Sequence, residues 1–370
     1  MKRIRIAYTI PNFDTAGSGI ALMKLATRLD RNLFEPVIVC LHDRGAYFEE
    51  VRRSGIRYVI HPYLSELTPR MTLARNVIRI SKFFRELDPD IVFSYHYASN
   101  FSEAVAARLA GKKFVYVKKN MGWKGPSYNQ WRVKTWMSQA VVAQNSDMVR
   151  DFFYGSPKAH LISIGVDQAE FHPRPKDKAL TTELGLTEDK PVILCVANLI
   201  PKKGIDYLIK GFSLCAEKVD AQLVIVGNND TFLREETEEL VRSQGMQNRI
   251  TFTGKRSDVH RFHSIASLFI LPSTGDEGAP IAIQEAMASG VPVVTTDTPG
   301  NRDQLRELPG QIIPPSDSQA IADAIIGQLA MDGKERDAII TRQLEIVSQR
   351  YSLEEEVRRH ESLYRSLMQK

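Results

Sequence analysis

Short apolar runs alternate with amphipathic stretches along the whole chain. In the first half the runs are IRIAYTI, EPVIVCL, IRYVIH, DIVFSY, KFVYVK, AVVAQ and HLISIGV. In the second half they are VILCVAN, AQLVIVG, ITFTG, LFILP and VPVVTT. Valine and isoleucine dominate, and the runs are apolar throughout rather than alternating. That is the pattern of strands covered on both faces. Between them lie stretches with helical spacing, such as SGIALMKLATRL and TLARNVIRISKFFREL. In the second of these, Thr72 to Leu87, Leu73, Val77, Ile80, Phe84 and Leu87 form a stripe set apart from Arg75, Arg79 and Lys82. The stripe reads as a core face. Strand–helix alternation builds parallel sheets through right-handed crossovers, and two such arrays follow one another here. Each predicts a doubly wound α/β domain. In open sheets of this type ligands bind beyond the carboxyl ends of the strands, so informative residues should follow strands directly.

The length, 370 residues, exceeds what one core usually supports and agrees with two domains. A polar, proline-bearing run from Gln168 to Lys190 reads as the linker. The expected division is 1–167 and 168–349, followed by a helix over 350–370. That helix opens on Ser352 and Glu355, spaced as a capping box. Cys40, Cys195 and Cys215 stand far apart inside apolar runs and read as core residues of a reducing compartment. No apolar run approaches the ~20 residues that span a bilayer. The opening MKRIRIAYTI reads as a first strand rather than a secretion signal.

Charge is uneven. Residues 1–167 carry 25 Lys+Arg against 14 Asp+Glu, and residues 168–370 carry 24 against 30. A basic first half points to an anionic partner: a phosphorylated acceptor, an anionic membrane face or nucleic acid. A plain solvated surface is the alternative. Trp123, Trp131 and Trp136 share residues 112–136 with seven Lys and Arg. Aromatics among cations suit a phosphate- and lipid-bearing acceptor, a membrane interface or single-stranded nucleic acid. Core tryptophans among solvated lysines are the simpler reading.

The candidate chemistry concentrates in residues 271–294, LPSTGDEGAPIAIQEAMASGVPVV. Glu277 lies on the loop before a predicted helix, and Glu285 lies two turns inside it. The helix N-terminus between them offers N–H groups and partial positive charge, which suits a diphosphate. Carboxylates accept hydrogen bonds from sugar hydroxyls. The pair is a plausible seat for a sugar nucleotide; one loop acid and one solvated helix acid is the bland reading. Other predicted strand ends are also polar. Asn198 and Lys203 follow VILCVAN, and an ammonium there balances charge on a leaving diphosphate. Gly227-Asn228-Asn229 follows AQLVIVG, and Gly254-Lys255-Arg256, ahead of Asp258, follows ITFTG. After the first strand, Gly17, Ser18 and Gly19 read as a glycine loop ahead of a helix, where backbone N–H groups cradle phosphate. The remaining elements of the dinucleotide fingerprint are missing. His96, Tyr97 and Ser99 follow DIVFSY, and Lys119, Asn120 and Gly122 follow KFVYVK. Asp88-Pro89-Asp90 precedes a strand and reads as a turn. His260 and His263 lack obvious partners for a metal.

Glu277 to Glu285 resembles the E-x7-E signature of the retaining GT-B glycosyltransferases of family 4. Lys203-Gly204 is similar to the end of that family's Arg-Leu-x-x-x-Lys-Gly motif, with Asn198 where Arg is common. Ala16-Gly17-Ser18-Gly19 occupies the place of a Gly-Gly pair. Gly165-Val166-Asp167 with Phe171 and Pro173 resembles the family's hinge. Lys118, Lys119 and Asn120 stand where members often carry His. The resemblance spans nearly the whole chain and is closest over 165–300.

The resemblance implies an α/β GT-B fold: two Rossmann-like, doubly wound parallel-sheet domains facing across a cleft, with the final helix crossing back to the first domain. It implies hexosyl transfer from a nucleotide sugar to an acceptor hydroxyl with retention, in cell-surface polysaccharide or glycolipid assembly. The implied catalytic set is Glu277, Lys203 and Asn198. Implied donor contacts are Gly17, Ser18, Gly19, Asn198, Lys203, Gly227, Lys255, Arg256, Glu277, Gly278, Ala279, Pro280, Ile281 and Glu285, with Glu285 on the ribose. His96, Lys119 and Asn120 would meet a lipid-linked or saccharide acceptor. No cofactor, obligatory metal or nucleic acid is expected. Residues 1–167 are expected to face an anionic membrane surface on the cytoplasmic side. A nucleotide-sugar epimerase or hydrolase of the same fold, and a non-catalytic nucleotide-sugar or nucleic-acid binding protein, are the alternatives.

Overall fold

The computed structural model describes residues 2–14, 16–45, 47–96, 98–122, 127–228 and 233–369. It divides into two compact units, Met1–Ile164 with Leu353–Lys370, and Gly165–Ser352.

The first unit is built on β1 (Ile4–Ile10), β2 (Phe34–Cys40), β3 (Arg57–Ile60), β4 (Ile91–Ser94), β5 (Lys113–Lys118), β6 (Ala140–Ala143) and β7 (Ala159–Leu161). They form one parallel sheet in the order β3-β2-β1-β4-β5-β6-β7. The winding reverses between β1 and β4, which opens a crevice at their carboxyl ends. Crossovers are α1 (Ala16–Arg28), α2 (Phe48–Arg53), α3 (Arg70–Leu87), α4 (Ser102–Leu109), α5 (Tyr128–Met137) and α6 (Ser146–Phe153). Alternate residues of β1 enter opposite cores: Ile6, Tyr8 and Ile10 on one face, Ala7 on the other. The stripe of α3 packs inward through Val77, Ile80, Phe84 and Leu87.

The second unit repeats the plan with β8 (Val192–Val196), β9 (Gln222–Val226), β10 (Ile250–Phe252), β11 (Leu268–Leu271), β12 (Val293–Thr296) and β13 (Ile312–Ile313). The order is β10-β9-β8-β11-β12-β13, with the reversal between β8 and β11. Its helices are α7 (Lys178–Glu183), α8 (Ile205–Cys215), α9 (Leu233–Ser243), α10 (Val259–Ile265), α11 (Ile281–Ala288), α12 (Asn301–Leu305), α13 (Ser318–Ala330) and α14 (Gly333–Ile346). The final helix, α15 (Leu353–Gln369), belongs to the first unit. There Tyr364 Oη lies 2.8 Å from Tyr8 Oη, and both rings are fully buried.

Three expectations need correction. The run 168–190 is not simply a linker: it contains α7, whose N-cap Asp177 accepts from Leu180 N at 2.9 Å. β13 was missed because two residues carry no pattern. Gly17, Ser18 and Gly19 form the first turn of α1 rather than a loop ahead of it. Asp88, at φ 51°, caps α3, and Asp90 accepts from Arg5 N at 2.8 Å.

Candidate functional site

In the second unit the reversal between β8 and β11 brings the loops after these strands together. Glu277, on the loop between β11 and α11, is only 7 % exposed. Its Oε1 lies 2.8 Å from Lys203 Nζ and accepts from Ser273 Oγ at 3.1 Å. Its Oε2 lies 3.5 Å from Lys202 Nζ. One buried carboxylate thus gathers two ammonium groups from the loop after β8. The Lys203 side chain is 16 % exposed and that of Lys202 48 %, so Lys203 is the desolvated partner.

The backbone is built for this approach. Pro201–Lys203 forms a 3-10 turn closed by Gly204 at φ 64°. A Cβ on Gly204 would stand 2.2 Å from Pro272 O, so only glycine lets the two loops touch. Thr274 N donates to Lys202 O at 2.9 Å and fastens them. Behind the carboxylate, Gly300 at φ 83° packs its α-carbon under the Glu277 and Gly278 carbonyls. The buried Gln304 amide donates to Pro280 O and Gly300 O at 3.3 and 3.1 Å. Glu277 N donates to Pro299 O at 3.1 Å. The loop Gly278-Ala279-Pro280 then leads into α11, which has no side-chain N-cap and no acid in its first turn. Its N-terminus therefore keeps its partial positive charge beside the two lysines. Ile281 opens the helix later than the spacing suggested, so Glu285 lies one turn inside it rather than two, and is half-buried.

The neighbouring strand ends are stitched together. Asn228 N donates to Asn198 Oδ1 at 3.4 Å, Leu199 N to Asn228 O at 3.0 Å, and Gly227 N to Gly254 O at 3.0 Å. Asn229 lies outside the described residues. Lys255 is exposed. Arg256 is drawn into an ion-pair network: Nε and Nη2 donate to Asp258 at 2.8 Å each, and Nη1 to Glu183 at 2.7 Å. Arg261 adds bonds to Asp177 at 2.7 Å and Asp258 at 3.1 Å. The Arg256 guanidinium holds the Asp258 carboxyl well below the usual carboxylate range. Arg256 is thus committed to carboxylates of α7 and its own loop.

In the first unit the ends of β1, β4 and β5 enclose a charged cluster that sequence reading missed in part. Glu103, at the start of α4, is fully buried and accepts from Thr9 Oγ1 and, at 2.7 Å, from Ser94 Oγ. Burial pushes its carboxyl up. Lys134 of α5 is also fully buried; burial takes its ammonium down to about 8, against the opposing pull of Glu103. Lys134 Nζ donates to Ala98 O at 3.2 Å. Lys119 Nζ donates to Tyr95 O at 3.1 Å and stands 4.2 Å from the Tyr95 ring centre. Burial, and then Lys134, hold Lys119 well below the usual lysine range. His96 is lowered to about 4 by burial, then by Lys134 and Lys119. Asn120 is exposed on the loop after β5. Gly17 is exposed, Ser18 half-buried, and Gly19 packed against the Phe13 ring.

The Lys/Trp segment is therefore not one outward basic patch. Trp131 is buried under Lys118 and Lys134, while Trp136 is 73 % exposed. Trp123 and Tyr97 lie outside the described residues. Among the described residues no group of three His, Cys, Asp or Glu is placed to hold a metal. His263 is buried between Phe171 and Phe269, with neither ring nitrogen bonded.

The description "Glycosyltransferase Family 4" matches residues 15–170 and "Glycosyl transferases group 1" matches residues 177–344. The GDP-mannose-dependent alpha-(1-6)-phosphatidylinositol monomannoside mannosyltransferase of Mycobacterium tuberculosis is 27 % identical over 298 residues, 76 % of either chain. The crystal structure of a glycosyltransferase from Rickettsia africae ESF-5 is similar with TM-score 0.89 at 19 % identity, over 100 % of this chain and 99 % of that one. Anabaena Alr3699/HepE in complex with UDP and glucose gives TM-score 0.80 at 19 % identity, over 98 % of this chain and 100 % of that one. These likenesses give the fold, GT-B. With both units matched, the chain belongs to the group 1 glycosyltransferases of family 4, hexosyl-transferring enzymes that act on nucleotide-sugar donors.

Proposed function

We propose that the enzyme transfers a hexose, with retention at the anomeric carbon, from a nucleoside-diphosphate sugar to a hydroxyl of a glycolipid or cell-surface saccharide. One observation carries this reading: a buried carboxylate, Glu277, is held by Lys203 and Ser273 at the entrance to an uncapped helix. A diphosphate seated at that N-terminus meets helix N–H groups and the Lys203 ammonium, which offset the charge that builds as the bond to the sugar breaks. Glu277 and the amides of Gly278 to Ile281 orient the sugar, Glu285 binds the ribose, and Asn198 adds an uncharged donor. The acceptor hydroxyl attacks from the face the diphosphate leaves, and its proton passes to that diphosphate.

The GDP-mannose and phosphatidylinositol mannoside of the mycobacterial relative, and the UDP and glucose of the Anabaena protein, support a donor and acceptor of these classes. A calorimetric screen against GDP- and UDP-sugars, followed by NMR of the product, tests the reading. It expects micromolar to millimolar binding of one donor and retention of its anomeric configuration. An inverted product, or free sugar formed as fast without acceptor as with it, overturns it. Turnover is expected to persist in excess EDTA.

No helix among the described residues is long and apolar enough to cross a membrane. We propose that the acceptor is met at a membrane surface, a reading that α3 supports. Its outer face exposes Met71 (87 %) and Ile78 (65 %) beside exposed Arg75, Arg79, Lys82 and Arg85. Apolar side chains flanked by cations suit an anionic bilayer surface. Flotation with vesicles containing anionic lipid at low salt is expected to carry the protein upward. Absence of binding there refutes the placement.

A further inference from the structure

Lys118 ends β5 with its side chain fully buried. Its Nζ donates to Asn120 O at 2.6 Å, to Asn120 Oδ1 at 2.8 Å and to Gly122 O at 2.8 Å. The ammonium also lies 4.5 Å from the centre of the Trp131 ring and 5.2 Å from that of Phe152. Three acceptors of one loop and two aromatic faces therefore converge on one cation. An ammonium has three N–H donors and no lone pair, so it satisfies all three oxygens. A neutral amine has two donors and would aim its lone pair at the third oxygen.

We infer that Lys118 is a positioning residue: its ammonium clamps the loop Asn120–Gly122 into the shape that receives the acceptor. The inference rests on the reading that Lys119 and Asn120 serve the acceptor side of a glycosyltransferase. It adds that the loop's shape depends on one buried proton.

That proton is loosely held. Burial, and then the Lys134 charge, lower Lys118 to about 7. Lys134 on α5 is the charge that acts on it, and Lys134 in turn interacts with Lys119 on the same strand end as Lys118, Glu103 on α4 and His96 after β4. On α6, which supplies Phe152, Asp147 pairs with Arg150 at 2.7 Å. The Lys134 ammonium disfavours the Lys118 proton, and Glu103 is held by Thr9 and Ser94. The clamp is closed below about pH 7 and opens as pH rises through it.

Lysine-selective 13Cε labelling gives the first test. NMR should show a lysine titrating near 7 that vanishes in Lys118→Met and moves to higher pH in Lys134→Met. A Lys118 signal titrating near the ordinary lysine value overturns the inference. The second test is kinetic, with the donor and acceptor that support wild-type turnover. Lys118→Met should raise the acceptor KM on the order of tenfold, as expected for losing a charge-assisted bond, and leave the donor KM unchanged. It should also abolish the fall in acceptor kcat/KM above about pH 7. An unchanged acceptor KM with the pH limb retained overturns the inference. Should Lys118→Met fail to fold, Lys134→Met decides the matter: the limb must move to higher pH, and a limb that stays in place is a refutation. Wild-type protein that binds no nucleotide sugar would refute the glycosyltransferase reading instead, and the lysine titration would stand apart from that result.

Discussion

Glu277→Gln removes a charge without removing an atom's worth of volume. It leaves Lys203 Nζ, formerly 2.8 Å from a carboxylate oxygen, facing a neutral amide in a mostly desolvated place. Breaking a buried pair by neutralising one partner costs about 3–5 kcal/mol. Lys203 keeps some contact with water and Lys202 loses little, so a cost of about 2 kcal/mol is expected here. Thermal unfolding should shift down by roughly 4–8 °C on that basis. Turnover should fall ~10²-fold or more, because the carboxylate and the ammonium it orients both act on the donor. Lys203→Met should do the same from the other side. The informative variant is the double one. With both charges gone, stability should return to within about 1 kcal/mol of wild type, a coupling energy of about 3–4 kcal/mol. Turnover should stay at the floor of the single variants. Circular-dichroism melts and initial rates at saturating donor read both quantities. A folded Glu277→Gln enzyme with wild-type rates would remove Glu277 from the mechanism. A double variant that regains activity along with stability would make the pair purely structural.

Gly300→Ala should cost about 1–3 kcal/mol and lower turnover with it, since φ 83° is strained for alanine and a Cβ would sit 2.5 Å from Gly278 O; chemical denaturation and rates measured together check this. Arg256→Gln should cost about 1 kcal/mol of stability and change donor affinity less than threefold, because its guanidinium is spent on Asp258 and Glu183; calorimetry with the donor decides. Acid should destabilise the fold through His263 and His360, both buried and held neutral down to about 3, against 6.5 in the unfolded chain. Between those values the unfolded state binds more protons, so this stability is present above pH 6.5 and is lost as pH falls toward 3. Each histidine contributes about 1.4 kcal/mol per pH unit in that window. A urea midpoint that stays flat from pH 6.5 to 4.5 would refute it.

The parts of the molecule that were legible in the sequence share a physical reason. Parallel strands buried on both faces read as continuous apolar runs, so β1, β2, β8, β9 and β11 announced themselves. The proximity of Lys203 and Glu277 was also within reach. They follow β8 and β11, which are neighbours where the second sheet reverses its winding. Their helpers were not. Ser273 and Lys202 look like any loop serine and lysine until the loops close on each other.

Arg256 and Lys118 show where such reading stops. Arg256 follows β10 at the far edge of the sheet, two strands from β8. Glu183, one of the acids that hold it, belongs to α7 in a stretch that reads as linker. A strand-end arginine seen without that helix looks available to a ligand. Lys118 and Lys134 look like solvated lysines for the opposite reason. What buries Lys118 comes partly from afar: Trp131 belongs to α5 and Phe152 to α6, while the oxygens belong to the loop directly after β5. An apolar strand commits its residues to a core by itself. A charge is committed only by the partners that surround it, and some of those, such as Glu183 and Phe152, arrive from elsewhere in the chain. The pattern of apolar positions therefore specified both sheets except for the edge strand β13, while the state of the charged residues at their ends had to await the tertiary fold.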